Sequence, residues 1–158
     1  QPVPAALGSL LIVLAVGARL AIPQRRTDGP TAPISALAQV PAALRARPVL
    51  NDYDFGGYLI FEGVRPYIDG RADMYGDAFV MNDNAIQNGD AAAAGAAVAR
   101  YGVDWAILRP DRRLVGVLER TPGWRRLYAD KDAVVLARDV PTPSPPPSAT
   151  VRPSSSHG

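Results

Sequence analysis

The chain has 158 residues, 47% of them hydrophobic and 20% charged, which suffices for one domain with a substantial core and not for two large ones. Its formal net charge is only +2, and the arginines are dispersed rather than clustered among aromatic residues, so a nucleic-acid partner is not expected. Cysteine is absent and the single histidine, His157, lies near the C-terminus, which excludes disulfides, cysteine-ligated zinc and histidine-dependent catalytic triads from the predicted domain.

The N-terminal segment, residues 1–23, is apolar and carries one charged side chain, Arg19. Its length is close to the roughly 20 residues that cross a bilayer as a helix, and Arg19 lies near one end, where its long side chain reaches the headgroups. We therefore predict a transmembrane helix, continuous from about Pro4 to Ile22, with membrane lipid as its partner. Two alternatives are a signal peptide cleaved at the small residues of 16–18 and a helix buried in a soluble core.

Irregular segments are predicted on both sides of the remaining sequence. Residues 24–33, QRRTDGPTAP, are polar and contain the glycine and prolines typical of a linker. By themselves, Arg25 and Arg26 favour a cytoplasmic position for this linker. Residues 140–158, VPTPSPPPSATVRPSSSHG, lack the apolar side chains that would offset the entropy of ordering, so we expect a disordered tail.

Residues 34–139 are predicted to form a small layered α/β domain with a mixed sheet, because strand and helix patterns alternate and a hairpin follows them. Segment 55–61 begins with glycines and continues with apolar residues, so strand and helix are both open there. Gly102 is expected to end a helix. The predicted elements are, in chain order, a helix at 41–47, strands at 48–51 and 64–69, helices at 77–87 and 90–101, a buried strand at 103–110, a helix at 111–120, and a hairpin at 124–138 that turns at 130–132.

Acidic residues are concentrated in one stretch, residues 50–77, which reads LNDYDFGGYLIFEGVRPYIDGRADMYGD. Asp52 and Asp54 have the D-x-D spacing with which two carboxylates hold a divalent cation against a nucleotide-sugar diphosphate. The alternative is turn chemistry, in which the side chains of Asn51 and Asp52 bond to nearby backbone N–H groups at a strand end. We predict no metal and no cofactor for this stretch.

Glycines and an arginine complete the same stretch. Gly56 and Gly57 permit unusual backbone angles or the close approach of another segment, but the sequence contains no phosphate-binding glycine loop. Asp69, Gly70 and Arg71 are expected at the carboxyl end of a strand, where ligands of α/β sheets often bind. Arg71 either clamps a phosphate or carboxylate of a ligand or pairs with neighbouring aspartates and fastens two loops.

We predict that the NDYD and DGRAD segments lie at adjacent strand ends, with Arg71 as the one nearby cation that reaches their carboxylates. No catalytic residue is assigned. The residues assigned to this binding site or structural network are Asn51, Asp52, Asp54, Gly56, Gly57, Asp69, Gly70, Arg71, Asp73 and Tyr75.

These motifs, VLNDYDFGGYLIF followed by VRPYIDGRADMYGD, resemble the region after the last membrane helix in many bacterial polytopic membrane proteins of the GT-C glycosyltransferase type. The downstream YGVDWAILRP and TPGWRRLYADKDAVVLARD resemble the C-terminal portion of the same proteins, so the resemblance extends over about residues 41–139. NDYDFGGY is also loosely similar to the W-W-D-Y-G stretch of oligosaccharyltransferase catalytic subunits, which contacts an acceptor peptide, although the tryptophan pair is absent here.

The resemblance implies a location and a role. Enzymes of the GT-C type use lipid-linked sugars and carry their catalytic acids on the first extracytoplasmic loop, near the chain start. Since this chain starts with Gln1 rather than Met, we expect a fragment without that loop, inactive by itself. The resemblance further implies a bacterial cell membrane, an α/β domain outside the cytoplasm despite Arg25 and Arg26, and a lipid-linked sugar as a partner through the parent protein.

Two other functions remain as alternatives. The first is a binding module anchored by a single membrane span, with the Pro/Ser-rich segment as a flexible end. The second is a metal-dependent transferase of the GT-A type that uses Asp52 and Asp54 as its carboxylate pair.

Overall fold

The structure is a computed structural model, which describes residues 5–21 and 27–139. A 3-10 turn at Tyr53–Phe55 connects the first strand to a helix. The helices are α1 (Ala5–Ala21), α2 (Ile34–Ala38), α3 (Ala42–Arg45), α4 (Gly56–Phe61), α5 (Ala72–Tyr75), α6 (Asp77–Gln87), α7 (Ala91–Tyr101) and α8 (Arg113–Arg120). The strands are β1 (Val49–Asn51), β2 (Trp105–Leu108), β3 (Trp124–Ala129) and β4 (Val134–Arg138).

A four-stranded mixed sheet in the order β1-β2-β4-β3 lies at the centre of the domain. β1 runs parallel to β2, and β4 runs antiparallel to both β2 and β3. The β3–β4 hairpin contains an irregularity between Arg126 and Tyr128. The predicted α/β class and the mixed sheet are therefore confirmed.

Both faces of the sheet are buried, because side chains alternate between two apolar clusters along each central strand. Leu50, Leu108 and Leu136 belong to one cluster, with side chains of α6, α7 and α8. Val49 and Ile107 belong to the other cluster, with side chains of α2 and α4. The sheet is thus the middle of three layers, and β2 and β4 are buried almost throughout.

Most of the predicted elements form close to their expected positions. Gly102 follows α7 in the left-handed conformation, with a φ of 61°, as expected for a residue that ends a helix. Segment 55–61 contains α4, so its apolar residues form a helix rather than a strand. The turn of the hairpin at 130–132 is closed by the carboxylate of Asp130, which accepts from the backbone N–H of Asp132 and of Ala133, each at 2.8 Å.

The predicted strand at 64–69 is wrong. The segment makes an isolated parallel bridge between Val49 and Pro66, with the N–H of Tyr67 donating to the carbonyl of Val49 at 2.9 Å. Pro66 has no N–H to donate, so a regular ladder cannot continue through it. The DGRAD segment consequently follows an extended loop and does not lie at a strand end.

The predicted apolar N-terminal helix is present as α1, which has 17 described residues. Within residues 5–21 and 27–139, no helix combines the length and apolar character that a bilayer crossing requires. The part of the predicted linker at 27–33 contains a bridge between Gly29 and Ala32. Residues 1–4 and 22–26, including Arg25 and Arg26, and the predicted tail at 140–158 lie outside the described residues.

Candidate functional site

The side chain of Asn51, at the end of β1, joins this strand to the neighbouring loop. Its Nδ2 donates to the carbonyls of Asp52 and Ile68, each at 2.8 Å, and its Oδ1 accepts from the N–H of Tyr67 at 2.8 Å. The residue is fully buried, so these bonds satisfy groups that water does not reach. The amide of Asn51 therefore replaces part of the missing strand ladder and brings the NDYD and DGRAD segments together.

Gly56 permits the closest approach between the two segments. A Cβ atom at this position would lie 2.5 Å from the Cα of Asp69, which no side chain tolerates without a backbone shift. An added Cβ at Gly57 would meet nothing within 4 Å. Only the first glycine of the pair is therefore required by packing. Neither glycine has a positive φ, so the requirement at Gly56 comes from space and not from backbone conformation.

Asp52 is completely buried and is held by an arginine from a distant part of the chain. Arg112 Nε and Nη2 donate to the two carboxylate oxygens at 2.5 and 3.2 Å. Asp52 Oδ1 also accepts from the N–H of Asp54 at 3.2 Å and so caps the 3-10 turn. Asp54 itself is exposed, and its Oδ2 lies 3.5 Å from Arg109 Nη1. The D-x-D pair thus has a turn role, with each carboxylate facing its own arginine.

Asp69 forms a second buried carboxylate centre. Arg71 donates to both of its oxygens, from Nε at 2.9 Å and from Nη2 at 2.6 Å, and the Tyr75 hydroxyl donates at 2.9 Å. The Arg71 guanidinium holds the pKa of this carboxyl far below its ordinary value, and the bond from Tyr75 acts in the same direction. The predicted contact between Arg71 and a carboxylate is present, and Tyr75 belongs to the same centre.

The prediction that Arg71 is the one cation near these carboxylates is wrong. Arg109 and Arg112, which follow β2, reach Asp54 and Asp52 respectively. The sequence gives no local signal for this, because Arg112 and Asp52 are separated by 60 positions. Parallel pairing of β1 with β2 places the carboxyl ends of both strands at one edge, and this pairing brings the two segments together.

Besides Gly57, two further predicted site residues make no contact that supports a role. Asp73 is exposed, and no ion pair to it is found among the described residues. A Cβ at Gly70 would meet nothing within 4 Å, so this glycine is not required by packing.

A further buried polar pair, Asp83 and Gln87 on α6, extends the network and was not predicted. Gln87 Nε2 donates to the carbonyl of Asn51 at 3.1 Å and to Asp83 Oδ1 at 3.3 Å, while its Oε1 is buried and accepts no hydrogen bond within the described residues. Burial raises the pKa of Asp83 to about 6, and the nearby charge of Asp52 acts in the same direction. The available signal was the i, i+4 spacing of two polar residues on a helix that packs on the sheet.

An aromatic cleft lies beside this network. It consists of two neighbouring cavities of about 430 and 500 Å³ that share the side chains of Tyr67, Tyr75, Phe79 and Tyr101. Of these residues only Tyr75 was predicted as part of a site. The others escape prediction because their common surface depends on how α5, α6 and α7 pack together.

A metal site is not found in the described part of the chain, where no group of three or more histidine, cysteine, aspartate or glutamate side chains is arranged to hold an ion. The fold and the network together define a layered α/β domain with an arginine–carboxylate framework at one end of its sheet. No family model, curated protein or solved structure matches the chain.

Proposed function

We propose that the chain is an accessory domain, joined to a membrane helix, of a bacterial glycosyltransferase of the GT-C type, and that it carries out no chemistry by itself. The α/β domain would lie outside the cytoplasm, where the parent protein meets its lipid-linked sugar. The observation that carries this proposal is that the motif carboxylates are buried and paired with arginines. Asp52 and Asp69 are buried and each is bonded by an arginine fork, so the residues that carry the family resemblance act as framework.

The same observation argues against the alternative of a metal-dependent GT-A transferase. Such an enzyme needs open carboxylate oxygens that bind a cation, whereas both oxygens of Asp52 accept from Arg112. Binding a cation there would require the arginine to leave and a buried carboxylate to be exposed.

The apolar surface of α1 supports the membrane position. Exposed apolar side chains on this scale are normally covered by lipid or by other protein, since the contact with water is unfavourable. The large side chains of α1 are between 47 and 81% exposed, namely Leu7, Leu10, Leu11, Ile12, Val13, Leu14, Val16 and Leu20.

A membrane extraction experiment tests the location. Cells expressing the chain are broken, and the membranes are washed with alkaline carbonate; we expect the wild-type chain to stay in the pellet. Val13→Arg places a charge in the middle of α1 and should shift the chain to the wash. Met81→Arg, at an exposed apolar position on α6, is the matched control and should stay with the membrane. A wild-type chain found in the wash contradicts the proposal.

A second experiment separates the proposal from its alternatives. Titration of Mn²⁺ and a uridine-diphosphate sugar into the chain should give no binding heat, and heat that disappears in Asp52→Asn would establish the GT-A alternative instead.

The genomic sequence directly upstream of the Gln1 codon should encode further apolar helices. A reading frame that starts at the Gln1 codon without upstream apolar helices would favour the single-span binding module. The aromatic cleft would then be the ligand-binding site of that module.

A further inference from the structure

The aromatic cleft has a rigid wall built from ring contacts. Tyr75 and Phe79 are stacked, with ring centroids 5.0 Å apart and planes at 18°. Tyr67 lies 4.9 Å from Phe79 and meets Tyr101 edge to face at 5.2 Å. Since each ring is held by a neighbour, the wall keeps its shape without a ligand, which lowers the entropy cost of binding one.

Each cavity of the cleft contains an arginine without a carboxylate partner among the described residues. Arg100, in the last turn of α7, lines the first cavity, and Arg65 lines the second. Arg71 and Arg112 differ in this respect, because they form ion pairs with Asp69 and Asp52 respectively. The cleft therefore presents positive charge beside apolar rings. Within the described part of the chain neither arginine pairs with a carboxylate, although Arg65 donates to the carbonyl of Ala46.

Arg100 is held in a position suitable for an anion. Its guanidinium carbon lies 5.6 Å from the centroid of the Tyr101 ring, a distance at which the ring face attracts the cation. Arg100 lines the same cavity as Tyr67, whose pKa is raised by burial while the charge of Arg100 acts to lower it. A guanidinium placed over a ring still has free N–H groups for a carboxylate or phosphate.

The polar atoms of the first cavity are few and partly occupied. The Nδ2 of Asn82 donates to the Tyr67 hydroxyl at 3.3 Å, and the Tyr75 hydroxyl is bonded to Asp69. Apart from Arg100 and the Tyr101 hydroxyl, the remaining lining of the cavity is apolar, including Ala96 on α7. A ligand that fits must therefore bring an apolar body for the rings and a single anionic group for the arginine.

We propose that this cleft binds a small amphipathic organic anion, with a flat apolar body against the ring wall and a carboxylate or phosphate on Arg100. The cavity volumes lie within the range of about 300–1,000 Å³ typical of small-molecule sites. The site is independent of the proposed membrane role, because it is formed entirely within residues 48–103 of the α/β domain.

Calorimetry on the full chain in non-ionic detergent, with 2-naphthyl phosphate as the probe, tests the proposal. We expect saturable binding that Arg100→Gln weakens at least fivefold. Arg120→Gln is the matched control, because Arg120 is likewise exposed in the last turn of a helix, and it should change the affinity less than twofold. Equal affinities of the two variants would overturn the assignment of the anion to Arg100.

The apolar part of the site is tested by blocking the cavity. Ala96→Trp places a large side chain at the lining of the first cavity and should abolish binding. Ala92→Trp, at an exposed position on the same helix outside the cavity lining, should leave binding unchanged. Inorganic phosphate and neutral 2-naphthyl glucoside should each fail to displace the probe at equal concentration, and decyl phosphate should bind more weakly than 2-naphthyl phosphate. Absence of probe binding to the wild type, or equal binding to the two tryptophan variants, would overturn the proposal.

Discussion

Two buried aspartates in this domain respond to their surroundings in opposite directions. Asp69 accepts from Arg71 and Tyr75, which lowers its pKa, whereas Asp83 has only an amide donor within bonding distance and its pKa is raised to about 6. Bonding to a cation favours the charged form, and burial without one disfavours it. The charge of Asp83 at neutral pH is therefore a cost to the folded state, and that of Asp69 is a gain.

Replacing Asp83 by asparagine should stabilise the domain at neutral pH. A rise of the pKa from 3.8 to about 6 corresponds to at most about 3 kcal/mol of lost stability above pH 6, and the asparagine removes this cost while it keeps an acceptor for Gln87. We expect a higher melting temperature than wild type at pH 7.5 and little difference at pH 4.5. Asp73→Asn, at an exposed aspartate, should match wild type at both pH values; an Asp83→Asn variant that melts lower at pH 7.5 would contradict the argument.

Replacing Arg112 by glutamine should destabilise the domain strongly. The change leaves Asp52, which is 0% exposed, without its cation. Breaking a fully buried pair costs about 3–5 kcal/mol, and because the Arg112 side chain is 34% exposed we expect a loss below that range. Urea unfolding should show this as a lower midpoint. Arg120→Gln serves as the control because its side chain is exposed, and equal midpoints for the two variants would show that Asp52 finds another partner.

Residue patterns predicted the acidic centres of the framework and the contact of Arg71 with a nearby carboxylate, but not the partners of Asp52 and Asp54. Asn51, Asp52 and Asp69 stand out in the sequence as polar residues beside apolar runs, and all of them are buried. Arg112 could not be assigned to Asp52, because that contact depends on β1 lying next to β2. Long-range pairing is a property of the folded sheet and leaves no local signal.

At the scale of elements, the segment between β1 and α5 shows how a single proline, which lacks a backbone N–H, prevents a strand from forming. A run such as 64–69 has a strand pattern, but Pro66 interrupts the ladder and the side chain of Asn51 supplies the remaining bonds. The ambiguity of segment 55–61 is resolved by tertiary packing, since α4 starts where Gly56 meets the backbone of Asp69. Local propensity predicts neither the hydrogen bonds of the Asn51 side chain nor the contact between Gly56 and Asp69.

Gly56→Ala and Gly57→Ala should therefore have opposite effects on stability. At Gly56 the new methyl group meets the backbone of Ile68 and Asp69, which must move, so the melting temperature should fall by several degrees. At Gly57 nothing lies within 4 Å, and alanine is favoured over glycine in a helix by about 0.5–1 kcal/mol, so the melting temperature should stay equal or rise. Equal losses in both variants would show that the close approach is not required.

For the whole molecule, the pH dependence of stability follows from the opposing carboxylates. Asp69 contributes stability above its unfolded pKa of 3.8, and this contribution is lost as the pH falls below that value. The raised pKa of Asp83 acts oppositely: its contribution is present below pH 3.8 and is lost as the pH rises towards about 6. We expect thermal melts of the full chain to show a maximum near pH 4–5; stability that rises continuously to pH 7.5 would contradict this assignment.

The position of β4 in the sheet has a consequence for how the protein is made. Among the described residues, β4 is the last strand in sequence, yet it lies between β2 and β3 and contributes Val134 and Leu136 to the buried core. Until residues 134–138 leave the ribosome, β2 lacks one of its neighbours and β3 has no partner, so the sheet cannot close before that point. Until then the nascent chain exposes apolar side chains of β2 that β4 later covers, and exposed surface of this kind favours aggregation.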